Sequence, residues 1–213
     1  MSSWCLHEPG FCSIRTCAHG RTFRSTFIAR TVAAGARVAH SCATMTTLPQ
    51  SALSLAGFAL AHAAWSLSDT DDGELFSPLA VVEQHDGARR LMRFEADTQE
   101  QAIIAGKTAM RDSSGDVAAW AFAREGAWSK MKSDHTGDVL AIDFWAKGMA
   151  AAATLTQPFN RAVNGSRFRI GGVPTLLVGS ALLAPDVARP HIDAIMAGVR
   201  AHNVVAELWP TWR

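Results

Sequence analysis

Apolar residues run almost unbroken through SALSLAGFALAHAAWSL, residues 51–67. Such a run predicts a helix over about 49–66 that is covered on more than one side. Thr47 and Gln50 stand at capping-box spacing, and Pro49 suits the first turn. The stretch is short of the ~20 apolar residues a bilayer span needs, and it carries serines and His62. A sheet is expected on one side of it, and something else, such as a second copy of the chain, on the other.

Downstream the period changes to two. PLAVVEQH and ARRLMRFEA flank Asp86-Gly87, a strong hairpin signal. TQEQAIIAGKTAMRD then returns to helical spacing, capped by Asp97 or Thr98, with a stripe of Ala102, Ile103, Gly106, Ala109 and Met110. VAAWAFAR and AWSKMK meet at Glu125-Gly126, and DVLAIDFWAK alternates cleanly. AAAATLTQP and SRFRIGG flank a turn at Asn164-Gly165, with Pro158 pointing to an edge or a bend. VPTLLVG is a short apolar strand, and a last helix is expected from about Pro190 with Ile192, Ile195, Met196 and Val199 on one face. The order is helix, hairpin, helix, strand meander, helix. It predicts an α+β domain: an antiparallel β-sheet with helices packed on one face.

Alternation also assigns faces. Trp120, Phe122 and Arg124 share one side of their strand, and Asp143, Trp145 and Lys147 share one side of theirs. Indoles are costly to leave in water, so this mixed face suits a subunit interface or a ligand groove. In that reading Trp120, Phe122 and Trp145 supply contact area, while Arg124, Asp143 and Lys147 orient the partner.

Charge and cysteine change the picture only at the N-terminus. The 213 residues carry a net charge of +1, and 48% of them are hydrophobic. Residues 1–44 hold five arginines against one acid, and all four cysteines, which leaves 45–213 at −3 and cysteine-free. The spacing Cys5-x6-Cys12-x4-Cys17-x-His19 contains no close pair of the zinc type. Residues 1–44 therefore read as a disordered basic leader, an organelle presequence, or non-native sequence upstream of a true start at Met45. The last is favoured, because charge, cysteine use and periodicity all change together at MTTLPQSALS. Residues 45–213 are expected to form one domain, cytoplasmic, with no membrane association.

Chemical signatures are sparse. No G-x-S-x-G elbow and no G-x-G-x-x-G fingerprint occurs. Gly106-Lys107-Thr108 lies inside a helical pattern, not between a strand and a helix as a phosphate loop must. SDTDDGELFSP departs from the calcium-loop spacing, since Gly73 comes one position early. No metal and no cofactor is expected. One catalytic trio stands out, Glu83 and His85 on one strand face together with Asp143, as a carboxylate can orient an imidazole. Two small basic clusters, Arg167-Phe168-Arg169 and Arg89-Arg90-Arg93, are all that speaks for nucleic acid, and the acidic body argues against it. The leading expectation is a homodimeric binding or structural protein, with a small-molecule ligand as a further partner. An enzyme, such as a hydrolase built on His85 with Glu83 or Asp143, is the alternative, and a nucleic-acid adaptor the third.

Overall fold

The computed structural model describes residues 48–70, 76–127, 137–162 and 166–213. The chain divides into two units, Met1–Thr44 and Met45–Arg213, and every described residue belongs to the second. The proposed leader, its cysteines, the Thr47 half of the capping box and the Asn164-Gly165 turn lie outside the described residues.

Among the described residues four α-helices and eight strands follow in the order α1 (Gln50–Ser68), β1 (Leu79–Glu83), β2 (Arg89–Arg93), α2 (Gln99–Ser113), β3 (Ala119–Ala127), β4 (Asp138–Ala146), β5 (Ala153–Asn160), β6 (Arg169–Ile170), β7 (Thr175–Val178), β8 (Ala181–Leu182), α3 (Pro185–Arg200) and α4 (Val205–Leu208). A 3₁₀ turn, Trp209–Trp212, ends the chain. The strands form one sheet in the order β2-β1-β3-β4-β5-β7-β8, with β6 also on β5, and every pairing is antiparallel. The molecule is an α+β fold built on an antiparallel sheet, as the pattern of periods predicts.

Two apolar clusters sit on the two faces of that sheet. On one, Ala119, Ala121 and Ala123 of β3 and Leu140, Ile142 and Phe144 of β4 meet α1, and α3 packs on α1 and β7. Alanine on the strand and alanine along α1 bring helix and sheet close together. The second cover over α1 is α3, from the same chain. Gly57 and Gly198 meet where the two helices cross, and a Cβ built on Gly57 would stand 2.9 Å from Gly198 Cα. No second copy is needed to bury the apolar run.

On the other face α2 covers Ala80, Val82, Trp120 and Phe122, with Met110 and Val117 completing the cluster. The helices therefore divide, α1 and α3 on one side and α2 on the other. This follows from β1 and β3 carrying apolar side chains at successive positions rather than alternate ones. Gly106 lets α2 lie on the Phe122 ring, since a Cβ there would overlap it. Thr98 caps α2, its Oγ1 accepting from Gln101 N–H at 3.2 Å. Thr98→Ala is expected to cost about 1 kcal/mol of stability, read as a lower urea midpoint at unchanged slope.

Three local expectations shift. Glu125-Gly126 is no turn, because β3 runs through it, pairing Glu125 with Leu140 and Gly126 with Val139. The Glu125 carboxylate is held by Arg161 and accepts from Phe76 N–H at 3.4 Å, which fixes it in the strand. Pro158 sits in an inner strand, opposite Val139. On its outer side β5 pairs with β7 as far as Thr156 and with β6 from Phe159, so proline falls in the gap between two ladders. The helix expected from about Pro190 is α3, which begins at Pro185 with Pro190 inside it and is followed by the short α4. Proline at the first position costs no helix bond, and Pro190 forgoes one only to the first turn.

Candidate functional site

The sequence-derived interface residues occupy the α2 face, but two of them are spent inside the chain. Trp120 and Phe122 are 8% and 1% exposed, packed beneath α2. The Trp120 indole N–H donates to Ser114 Oγ at 3.1 Å, at the C-terminal end of that helix. Trp145 stands directly across from Trp120 in register, half-buried, and donates to the Met149 carbonyl at 2.9 Å. Beyond α2 the face turns polar. Asp143 accepts from Thr154 Oγ1 at 2.7 Å and pairs with Arg124 at 3.4 Å. Lys147 is exposed. The costly rings thus find their cover in the chain's own helix, leaving Arg124, Asp143, Trp145 and Lys147 in reach of solvent.

Glu83, His85 and Asp143 are not brought together. Glu83 pairs with Arg89 at 2.9 Å, and His85 lies exposed in the hairpin loop. Glu83 lies opposite Ala119, on the α1 face, whereas Asp143 lies opposite Phe122, on the α2 face. A whole strand, β3, separates them. In the basic clusters Arg90, Arg167 and Arg169 are exposed, whereas Phe168 and Arg89 are taken up by contacts within the chain. Phe168 is buried edge-on against Trp212, centroids 5.2 Å apart, and Arg89 lies over the Phe58 ring at 5.6 Å.

Two features have no local signature in the sequence. The first is a pair of histidines 140 positions apart. His62, on α1, places Nδ1 3.2 Å from Nε2 of His202, just past α3. Val205 N–H donates to His202 Nδ1 at 3.4 Å, which puts the His202 proton on Nε2. That proton is then donated to His62 Nδ1, so His62 carries its own N–H at Nε2. This atom is buried and has no hydrogen-bond partner among the described residues. Phe58 and Trp65 flank the pair. Burial, with His202 and Arg93 adding repulsion, holds His62 down to about 4, and burial also lowers His202. Both rings are neutral at pH 7.

The second is a groove of about 790 Å³ between the β7–β8 hairpin and the first turns of α3. Val173, Leu176, Leu182, Leu183, Ala188 and Ile192 line it, with Asp186 and Arg189 at its polar positions. Val173 and Leu182 are 76% and 63% exposed, the most open large apolar side chains among the described residues. Gly172 and Gly179, both in left-handed conformation, bracket β7 and shape this end of the sheet.

Among the described residues no three His, Cys, Asp or Glu side chains gather as a metal site, and no helix is long and apolar enough to cross a membrane. No protein-family model, no curated protein and no solved structure matches this chain.

Proposed function

We propose that this chain is a binding protein whose site is the groove between β7–β8 and α3, taking a small, mainly apolar molecule. One observation carries the reading: the groove is concave, its walls are almost wholly aliphatic, and its volume of about 790 Å³ lies within the usual range for small-molecule sites. Polar groups are few there, as expected of a site that gains affinity by excluding water and takes orientation from one or two contacts. The proposed setting is the cytoplasm, because residues 45–213 have no cysteine and need no oxidising compartment.

Self-association as a homodimer is the second reading. It is favoured by the exposure of Val173 and Leu182 beside β8, the edge of the sheet. This is a different surface from the Trp120 and Phe122 face, which α2 occupies.

The double variant Val173→Ser, Leu182→Ser tests both readings, since open side chains tolerate exchange. The wild-type chain is expected to bind the apolar dye 1-anilinonaphthalene-8-sulfonate at one site, and the variant roughly tenfold more weakly, in a fluorescence titration. Equal binding by the two proteins would refute the ligand groove. For the dimer, light scattering is expected to give twice the chain mass for wild type and the single chain mass for the variant. A wild-type monomer at high concentration would refute it.

A further inference from the structure

We infer that the His62–His202 contact is an acid-sensitive latch that holds the C-terminal segment, residues 201–213, against α1. Three things must coincide for such a latch, and all are present. The two imidazoles touch across two elements, α1 and the turn after α3. In this tautomer the contact needs His62 Nδ1 free to accept, because Val205 N–H occupies His202 Nδ1 and leaves the His202 proton on Nε2. The surroundings offer no compensation for a second proton. From β2 comes Arg93, whose guanidinium bonds Ser66 Oγ at 3.3 Å and repels a charged His62. Arg89 on the same strand lies over Phe58 and is already matched by Glu83. Among the described residues no carboxylate pairs with either histidine.

Adding a proton to His62 removes the lone pair on Nδ1 that His202 donates to. With the His202 proton on Nε2 the 3.2 Å contact then joins two donors, beside an arginine, and moving that proton to Nδ1 would set it against Val205 N–H. Charge on both rings adds direct repulsion. The segment is also held by Val205, Trp209 and Trp212, buried in the core, and by Phe168 edge-on to Trp212, so a second proton weakens its closure and raises the frequency of local opening without unfolding the sheet.

The direction of the pH dependence follows from linkage. A released His62 takes up its proton near 6.5, and a latched one near 4. The open form therefore binds more protons between those values, so closing is fully favourable above about pH 6.5 and weakens as pH falls toward 4. The largest effect this difference allows is roughly 300-fold. Solvent reaching part of the His62 ring reduces it, so tenfold or more is expected by pH 4.5.

Hydrogen exchange on the full-length chain, corrected for intrinsic rates, reads this directly. Between pH 7 and 4.5, protection of residues 201–213 is expected to fall at least tenfold while that of β4 stays constant. His62→Gln keeps an acceptor for His202 but cannot take the charge, and is expected to reduce the fall at least threefold. Constant protection of 201–213, an equal loss in β4, or an unchanged fall in the variant would each overturn the latch. Should the variant not fold, NMR titration of the wild-type imidazoles decides the matter. His62 titrating near 4 supports the latch, and His62 titrating near its ordinary 6.5 refutes it.

Discussion

Gly57→Ala lowers the unfolding free energy by about 3 kcal/mol. The sign is the informative part. In an exposed helix, alanine in place of glycine would stabilise by roughly 1 kcal/mol. At Gly57 the new methyl group would overlap the Ile195 carbonyl oxygen and stand 2.9 Å from Gly198 Cα. Both neighbours are backbone, so no rotamer change relieves the clash and α3 must move off α1. That motion strips contacts from Ile195 and Val199, each 1% exposed in the main core. Gly198→Ala meets Ser54 from the other side, with the same consequence. The double variant is expected to cost less than the sum of the two, since one separation accommodates both methyl groups. Urea unfolding followed by circular dichroism measures all three. A stabilised Gly57→Ala protein would mean the helices do not cross at this point.

Phe122→Ala costs about 3–5 kcal/mol, the range for truncating a fully buried aromatic. The ring is sealed between β3 and α2, with Phe94 edge-on at 5.7 Å and Gly106 directly above it. Losing it opens a void that α2, anchored at this face by Met110 and Ala102, cannot readily fill. Hydrogen exchange in residues 99–113 is expected to rise more than in α1. The result separates two roles for this side chain. A residue serving subunit contact would leave monomer stability unchanged on truncation and alter only the molecular mass in solution. Trp145→Ala, at a half-buried ring, is expected to cost less.

Much of the fold is legible along the chain because its signals are local. Thr98 and Gln101 announce the start of α2, and Asp86-Gly87 sits in the loop it predicts, with Gly87 left-handed. The alternation in DVLAIDFWAK becomes β4 with Leu140, Ile142 and Phe144 on the α1 face. The errors lie where a local signal met a tertiary constraint. Glu125-Gly126 resembles a turn until Arg161, far along the chain, pairs with the glutamate. Pro190 resembles a helix start until Pro185 takes that position. Face assignment was sound in direction, since Trp120, Phe122 and Asp143 do share a side. Nothing in a period of two says which helix crosses over that side, and α2 does. The candidate sites were the least legible. His62 and His202 carry no common motif, and the groove beside α3 exists only because β8 folds back on β7.

The sheet has two unlike ends, and this bears on what the molecule can build. At one margin, β2 presents Arg90 and Arg93 together with Arg89, which Glu83 pairs, and a further strand approaching there would meet this cationic edge. At the opposite margin β8 offers only Ala181 and Leu182 for pairing. Strand-to-strand growth from molecule to molecule needs both margins to be receptive. With one of them barred by charge, copies joining through the other pair head to head about a two-fold axis and stop there. The arginines of β2 are therefore expected to oppose the addition of a further strand at that margin.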